Sequence, residues 1–132
     1  RIARSIFVAD DDATAERYVR EAQDAYRFYY WNLLTKRRSG GAGNLASFKH
    51  DPAMPDDAVT VDYLLDTMVI RGSASRVADE ILQLRENAGP FGTLLYCGHD
   101  WADAALARRS MQLMAEEVMP RVNAAIGKAA AA

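Results

Sequence analysis

The segment Gly98-His99-Asp100-Trp101 places side chains with distinct chemistry next to one another. The imidazole of His99 is a group that titrates near neutrality, and Trp101 offers a broad aromatic surface. The pair could orient a reacting group and wall a substrate pocket, which makes both residues candidate catalytic residues. The alternative is a loop histidine hydrogen-bonded to Asp100, with Trp101 filling a gap in the packing.

A second candidate is Arg71-Gly72-Ser73, which follows a predicted strand and opens a predicted helix. The free amides of a helix start, together with a cation, can hold an anion such as a phosphate. Arg71, Gly72 and Ser73 are therefore candidate cofactor-binding residues, and Arg71 is also a candidate pocket-lining catalytic residue. The alternative is an ordinary capped helix with Ser73 as the N-cap.

Cationic side chains also mark an irregular stretch in the first half of the chain. Lys49 and His50 lie within it, and Arg37 and Arg38 stand at its base. A cationic lid could shield a bound cofactor, whereas a solvated loop is the alternative. The single cysteine, Cys97, has no neighbouring base and is interpreted as a small buried residue. No Cys or His spacing typical of a metal site is present, and no metal is predicted.

The elements that must position these residues alternate along the chain. Short apolar runs at 5–9, 67–70 and 93–97 predict buried strands. Such strands alternating with helices are typical of an α/β fold with a parallel sheet covered on both faces. The helices are predicted at about 13–36, at 60–66, from Ser73 to the stop at 87–90, and from a cap at Asp103 to Pro120.

Length and composition limit the class of protein. The 132 residues suit one domain and are too few for a complete eight-stranded barrel. Half of the residues are hydrophobic, 26% are charged and the net charge is −2, which argues against nucleic acid and anionic membranes as partners. No apolar run is long enough to span a bilayer and no signal-like segment begins the sequence, so a cytoplasmic protein is expected.

The sequence resembles the bacterial luciferase-like family of flavin-dependent monooxygenases. The most specific match is the segment 110–120, in which a serine, a hydrophobic pair, an acidic pair and Val-Met-Pro follow one another. Further matches are the strand and helix start at 5–15, the strand end at 69–73, the helix segment at 77–81 and the strand start at 92–95. The resemblance spans nearly the whole chain and is closest to the C-terminal portion of that family.

The resemblance implies the C-terminal part, about strands six to eight with their helices, of a (β/α)₈ TIM barrel. On this interpretation the chain is a single partial barrel domain. It would comprise strand and helix six at 1–38, a lid-like excursion at 39–59, and strands and helices seven and eight at 60–132. Barrel enzymes place their chemistry at the C-terminal ends of the strands, which here means the segments after Ala9, Ile70 and Cys97.

The chemistry implied by the resemblance is oxygenation of an apolar substrate such as an aldehyde, an alkane or a terpene. Reduced FMN from a separate flavin reductase would react with dioxygen, and His99 could orient the resulting flavin peroxide. One alternative is a deazaflavin-dependent oxidoreductase of the same superfamily, which moves a hydride. The other is a non-catalytic partial-barrel fragment that needs a partner.

Three parallel strands leave two open sheet edges. The sequence therefore predicts a homo-oligomer or a complex with a complementary N-terminal half. Much of the flavin site of the family comes from strands that precede strand six, so the isolated chain is expected to be inactive and to bind reduced FMN weakly or not at all.

Overall fold

A parallel three-stranded sheet forms the centre of the fold. The computed structural model describes residues 1–21, 25–40, 45–99 and 101–130. The strands are β1 (Ile2–Ala9), β2 (Val69–Ser73) and β3 (Leu94–Cys97). The helices are α1 (Asp12–Glu21), α2 (Tyr26–Ser39), α3 (Val61–Met68), α4 (Ala74–Ala88), α5 (Ala104–Leu113) and α6 (Met119–Ala130). The α/β class and the parallel pairing are as predicted.

The strand order is β2-β1-β3, so β1 is the central strand. Ser5–Ala9 of β1 pairs with Val69–Ser73, and Ile2–Ser5 pairs with Leu94–Cys97. In a complete barrel each strand lies beside the next one in the sequence. Here β3 pairs with β1, across the sheet from β2. β1 is buried from Ser5 to Ala9, as expected of a strand with a neighbour on each side and helices on both faces.

The two faces of the sheet carry separate apolar clusters because successive side chains of a strand point to opposite sides. Phe7 and Ala9 face a cluster with α1, α2 and α3 that includes Leu64 and Leu65. On the other face, the cluster comprises Ile6, Val8, Ile70, Ala74, Val77, Ala78, Ile81, Leu113, Met114 and Val118. The sheet is therefore the middle layer of three.

The prediction of one helix over 13–36 is wrong. Two helices, α1 and α2, occupy this stretch, and Ala25 immediately before α2 has the non-helical angles φ −121° and ψ −131°. The helical spacing of the tyrosines and Trp31 in this stretch predicts that they form the packing face of the helix. This is confirmed for Tyr18, Tyr26 and Tyr30, which are buried. It is wrong for Tyr29 and Trp31, which are exposed.

The prediction that the last helix stops at Pro120 is also wrong. The helix continues from α5 through one π-helical turn, Met114–Val118, into α6. Proline supplies no backbone N–H and normally breaks a helix interior. The turn with i→i+5 hydrogen bonding ends directly before it, since the amide of Met119 donates to the carbonyl of Met114. Pro120 thus follows directly on a turn whose backbone hydrogen bonds have already shifted from i→i+4 to i→i+5.

The second strand begins and ends later than the sequence pattern predicts. The predicted run 67–70 is replaced by Val69–Ser73, because α3 continues to Met68. Arg71, Gly72 and Ser73 are therefore members of β2 itself. Among the described residues, no helix combines the length and the apolar character that crossing a membrane requires.

Candidate functional site: an aromatic pocket at the end of β3

A cavity of about 250 Å³ lies where β3 ends and the chain turns towards α5. Its described lining contains no Asp, Glu, Lys or Arg. The lining residues are Phe7, Tyr18, Tyr26, Tyr96, Gly98, His99, Trp101, Ala107 and Met111. A larger groove, of about 340 Å³, runs between α4, β3 and the last helix but holds none of the predicted site residues. We therefore take the smaller, aromatic pocket as the candidate site.

His99 is held at this pocket by a hydrogen bond and by stacking. Its Nε2 lies 2.6 Å from the Oγ of Ser5, and that Oγ lies 2.8 Å from the hydroxyl of Tyr30. The imidazole stacks on the ring of Tyr29 at a centroid distance of 3.9 Å and meets the ring of Tyr26 edge-on at 4.9 Å. The prediction that His99 and Trp101 line one pocket fits this arrangement; Asp100 lies outside the described residues.

Beyond the end of β3, two side chains form hydrogen bonds with backbone groups of β1 that no β3 residue reaches. The amide of Ile2 donates to the carbonyl of Thr93, the residue before β3. The even-numbered residues of β1 therefore direct their backbone N–H and C=O groups towards β3. Beyond Ser5 no β3 residue is paired with β1. There the hydroxyl of Tyr26 donates to the carbonyl of Ile6 at 2.6 Å, and the amide of Val8 donates to the Oγ of Ser110 at 2.8 Å. The pocket borders this capped half of β1.

The pocket floor is an aromatic stack in which polar groups are deeply buried. Tyr18 stacks on Phe7 at a centroid distance of 4.2 Å, and both contact Tyr26 edge-on. Desolvation raises the pKa values of Tyr18 and Tyr26, so these phenols stay protonated. The Tyr18 hydroxyl faces the backbone amides of Ala102 and Asp103 without forming a hydrogen bond of good geometry.

Arg71 lies apart from this pocket, where its buried guanidinium pairs with two half-exposed carboxylates. Its guanidinium donates from Nε to Glu16 at 2.6 Å, from Nη2 to Asp66 at 2.8 Å and from Nη1 to the carbonyl of Leu65 at 2.8 Å. Arg20 pairs with the same two carboxylates. These bonds hold α1, α3 and β2 together, and Arg71 is not among the residues that line the pocket. Its predicted catalytic role stays a prediction.

The segment Gly72-Ser73 already holds a carboxylate of the chain. The amide of Ser73 donates to Oδ1 of Asp12 at 2.7 Å, and this bond lowers the pKa of Asp12. Gly72 has φ +148°, and a Cβ at this position would lie 2.8 Å from the same Oδ1 and 2.7 Å from Arg76. Ser73 precedes α4 but its side chain makes no capping bond to the helix. The carboxylate of Asp12 thus occupies the position at which the sequence predicted an anion such as a phosphate.

Glu16 gives the cluster around Arg71 a dependence on pH. The hydrogen bond from Arg71 lowers the pKa of Glu16 from 4.5 to about 2. A carboxyl whose pKa is lower in the folded state stabilises the fold above its unfolded value and loses that contribution as the pH falls through its folded value. We expect Glu16→Gln to destabilise the chain at pH 7 by about 1 kcal/mol, since the half-exposed carboxylate is screened by solvent.

This difference between wild type and Glu16→Gln should shrink between pH 4.5 and about 2 and vanish below that range. Urea unfolding at several pH values measures it. A difference that is the same at pH 7 and at pH 2 would show that Glu16 does not carry the effect. Other carboxylates titrate in both proteins and cancel in the comparison.

The described part of the excursion is anchored to the body of the protein. Leu45 and Val59 are buried, Lys49 pairs with Asp56 at 2.6 Å, and His50 contacts the hydroxyl of Tyr63 on α3 at 3.1 Å. Neither Lys49 nor His50 lines the aromatic pocket. Residues 41–44, part of the predicted lid, lie outside the described residues. The lid role of Lys49 and His50 stays a prediction.

Several site residues were missed by the sequence analysis. Ser5, Tyr26, Tyr30 and Ser110 hold or line the pocket, yet Ser5 and Ser110 were used only as markers of a strand and a helix face. The tyrosines lie at helical spacing and were interpreted as packing. A serine inside an otherwise apolar run was the one available signal, because a buried hydroxyl needs a partner.

Comparison with known proteins identifies relatives of one chemical kind. The chain is 29% identical over 122 residues to 3,6-diketocamphane 1,6-monooxygenase of Pseudomonas putida. It is 31% identical over 126 residues to 4-hydroxyprotoasukamycin monooxygenase of Streptomyces nodosus subsp. asukaensis. It is 27% identical over 128 residues to limonene 1,2-monooxygenase of Rhodococcus erythropolis. These matches cover 92%, 96% and 96% of the chain but only 32%, 31% and 30% of the relatives. No protein-family model matches.

A solved structure agrees with these relatives. The oxygenating constituent of 3,6-diketocamphane monooxygenase from Pseudomonas putida, a type II Baeyer–Villiger monooxygenase in complex with FMN, matches with a TM-score of 0.71 and 28% identity. The match covers 91% of this chain and 32% of that one. The chain thus spans about a third of the length of the proteins it matches.

Proposed function

We propose that this chain is the C-terminal portion of a flavin monooxygenase of the luciferase-like family, since it matches about a third of the length of monooxygenases of this kind. The whole protein would use reduced FMN and dioxygen to oxygenate an apolar, terpene-like substrate. The observation that carries the proposal is the agreement of sequence and fold over nine-tenths of the chain with a monooxygenase whose structure contains FMN.

The described residues do not by themselves fit an FMN phosphate. Asp12 holds the amide of Ser73, and Arg71 is bound to Glu16 and Asp66. At the ends of the strands, Arg109 is paired with Asp10 at 2.6 Å. A dianion placed there would displace a carboxylate from each cation. The proposal therefore places the phosphate on residues other than these.

What the chain's own residues supply is a pocket wall made mainly of aromatic rings, with few polar groups. The hydroxyls of Tyr26 and Tyr96 are bonded to Ile6 and Ser110, and the imidazole of His99 is held by Ser5. Such a site favours a neutral ligand with a large apolar surface, since a charged ligand would lose its hydration without a counter-charge among the described lining residues. This supports an apolar substrate class.

The experiment uses the complete gene product that carries the chain. We expect it to incorporate one atom of isotopically labelled dioxygen into a terpene or terpenoid ketone when reduced FMN is supplied by a flavin reductase. Reduced deazaflavin is the matched comparison. Hydride transfer with deazaflavin and no oxygen incorporation with FMN would replace the monooxygenase proposal with the oxidoreductase alternative.

The isolated chain gives a separate prediction. Because Arg71, Arg76 and Arg109 near the strand ends are paired with carboxylates, we expect no micromolar affinity for FMN in the 132-residue chain. Quenching of flavin fluorescence by the chain measures it, and free flavin at the same concentration is the control. Micromolar binding to the chain alone would show that the phosphate is held here after all.

The remaining interpretation, a non-catalytic fragment that pairs with a partner, is favoured by one observation. Leu95 on β3 is 59% exposed, on a strand whose outer edge is unpaired among the described residues. An apolar edge of this kind is covered in stable proteins. A second copy of the chain or a complementary N-terminal half would cover it, and a gene product without catalytic activity would favour this interpretation.

A further inference from the structure

Three polar groups at the pocket form a linear chain of hydrogen bonds. The hydroxyl of Tyr30, the Oγ of Ser5 and the Nε2 of His99 are joined by distances of 2.8 Å and 2.6 Å, with Ser5 in the middle. Tyr30 and Ser5 are 5% and 7% exposed, so neither hydroxyl can rely on bulk water. Each of the two links can run in either direction, and the direction decides which nitrogen of His99 carries the proton.

Counting the protons distinguishes these directions. Each hydroxyl has one proton to donate, and a buried donor without an acceptor is costly. If Tyr30 donates to Ser5 and Ser5 donates to Nε2, both hydroxyl protons are used. If instead Nε2–H donates to Ser5, either the proton of Ser5 or the proton of Tyr30 lacks an acceptor among the described residues. Only the first direction gives both hydroxyl protons an acceptor among the described residues.

We propose that Ser5, oriented by Tyr30, is a positioning residue that holds His99 as the neutral imidazole with its proton on Nδ1. Burial supports the donor role of Tyr30, since it raises the pKa of that phenol and keeps it protonated. The stacked ring of Tyr29 and the edge of Tyr26 keep the imidazole in the plane that the hydrogen bond requires.

The consequence for the site concerns the Nε2 of His99. Its lone pair is engaged by Ser5, so it is not available to accept a proton from a ligand. The inference concerns the chain's own residues and does not depend on a flavin, so its failure would leave the proposed function standing.

The test is the tautomer of each histidine in the 132-residue chain, measured from the side-chain nitrogen shifts at about pH 8, where an ordinary imidazole is neutral. The chain has two histidines, and His50→Gln assigns their signals. We expect the Nδ1–H form of His99 to predominate. In Ser5→Ala the ratio of Nδ1–H to Nε2–H should fall at least tenfold, which corresponds to about 1.4 kcal/mol.

Ser5→Thr retains the hydroxyl and should restore the ratio. Tyr63→Phe is the matched control, because it removes the hydroxyl that contacts His50 and should leave His99 unchanged. A predominant Nε2–H form in the wild type overturns the proposal, and that measurement needs no variant to fold. An unchanged ratio in a folded Ser5→Ala variant overturns it as well.

Discussion

Replacing Arg71 with methionine is expected to lower the free energy of unfolding by about 3 kcal/mol, the lower end of the range for breaking a buried ion pair. The side chain of Arg71 is 9% exposed and donates to two carboxylates and to the carbonyl of Leu65. Methionine fills similar volume but donates nothing. The carboxylates of Glu16 and Asp66 are half exposed and can be rehydrated, which keeps the loss near the lower end.

The matched control for Arg71→Met is Arg76→Met. Arg76 also pairs with two carboxylates, those of Asp12 and Glu80, but its side chain is 51% exposed. Exposed ion pairs contribute little, so we expect a loss below about 1 kcal/mol. Urea unfolding with unchanged slopes gives both values. Equal losses in the two variants would show that Arg71 is not the structural anchor that its contacts indicate.

Replacing Ser110 with alanine is expected to cost about 2 kcal/mol, because it leaves a buried backbone donor without an acceptor. Ser110 is fully buried and its Oγ accepts the amide proton of Val8 at 2.8 Å, on the edge of β1 that no strand reaches. The change in volume is small, so a lost packing contact would not account for a loss of this size. Exchange of the Val8 amide proton should also become faster than in the wild type.

Tyr96→Phe separates the two bonds of Ser110. The hydroxyl of Tyr96 lies 3.0 Å from the same Oγ, and its removal leaves the bond to Val8 intact. We expect Tyr96→Phe to cost about 1 kcal/mol or less and to leave the exchange of the Val8 amide unchanged. If Tyr96→Phe were the more destabilising variant, the cap on Val8 would not be the main role of Ser110.

The strands and their surroundings were predictable where the apolar pattern was continuous. The run 5–9 is buried, and its continuous apolar pattern alone indicates a buried strand of a parallel sheet. The cap of α5 was equally clear, since Asp103 accepts from the amides of Ala105 and Leu106. The break before α2 was not, because the helical spacing of the tyrosines continues across it; among the described residues there, Ala25 has non-helical backbone angles.

The candidate site was predictable only where a residue's type and its position after a strand end mark it. His99 and Trp101 stand out by type, and they follow a strand end, so their meeting at one pocket could be expected. The engagement of Arg71 with Glu16 depends on a contact across 55 positions that no local pattern encodes. The strand order could not be predicted either, since periodicity identifies strands but not their neighbours.

The π-helical turn at Met114–Val118 determines which way the side chains of the following helix, α6, face. One extra residue in a helix rotates the later part by about 100°, the angle per residue of a 3.6-residue turn. Buried positions before and within the turn, Leu113, Met114 and Val118, and the packed Val122 after it all face the same cluster. A strict α-helix with four-residue steps would drift away from that face. The inserted residue therefore rotates the helix so that both the π-helical turn and α6 contact α4.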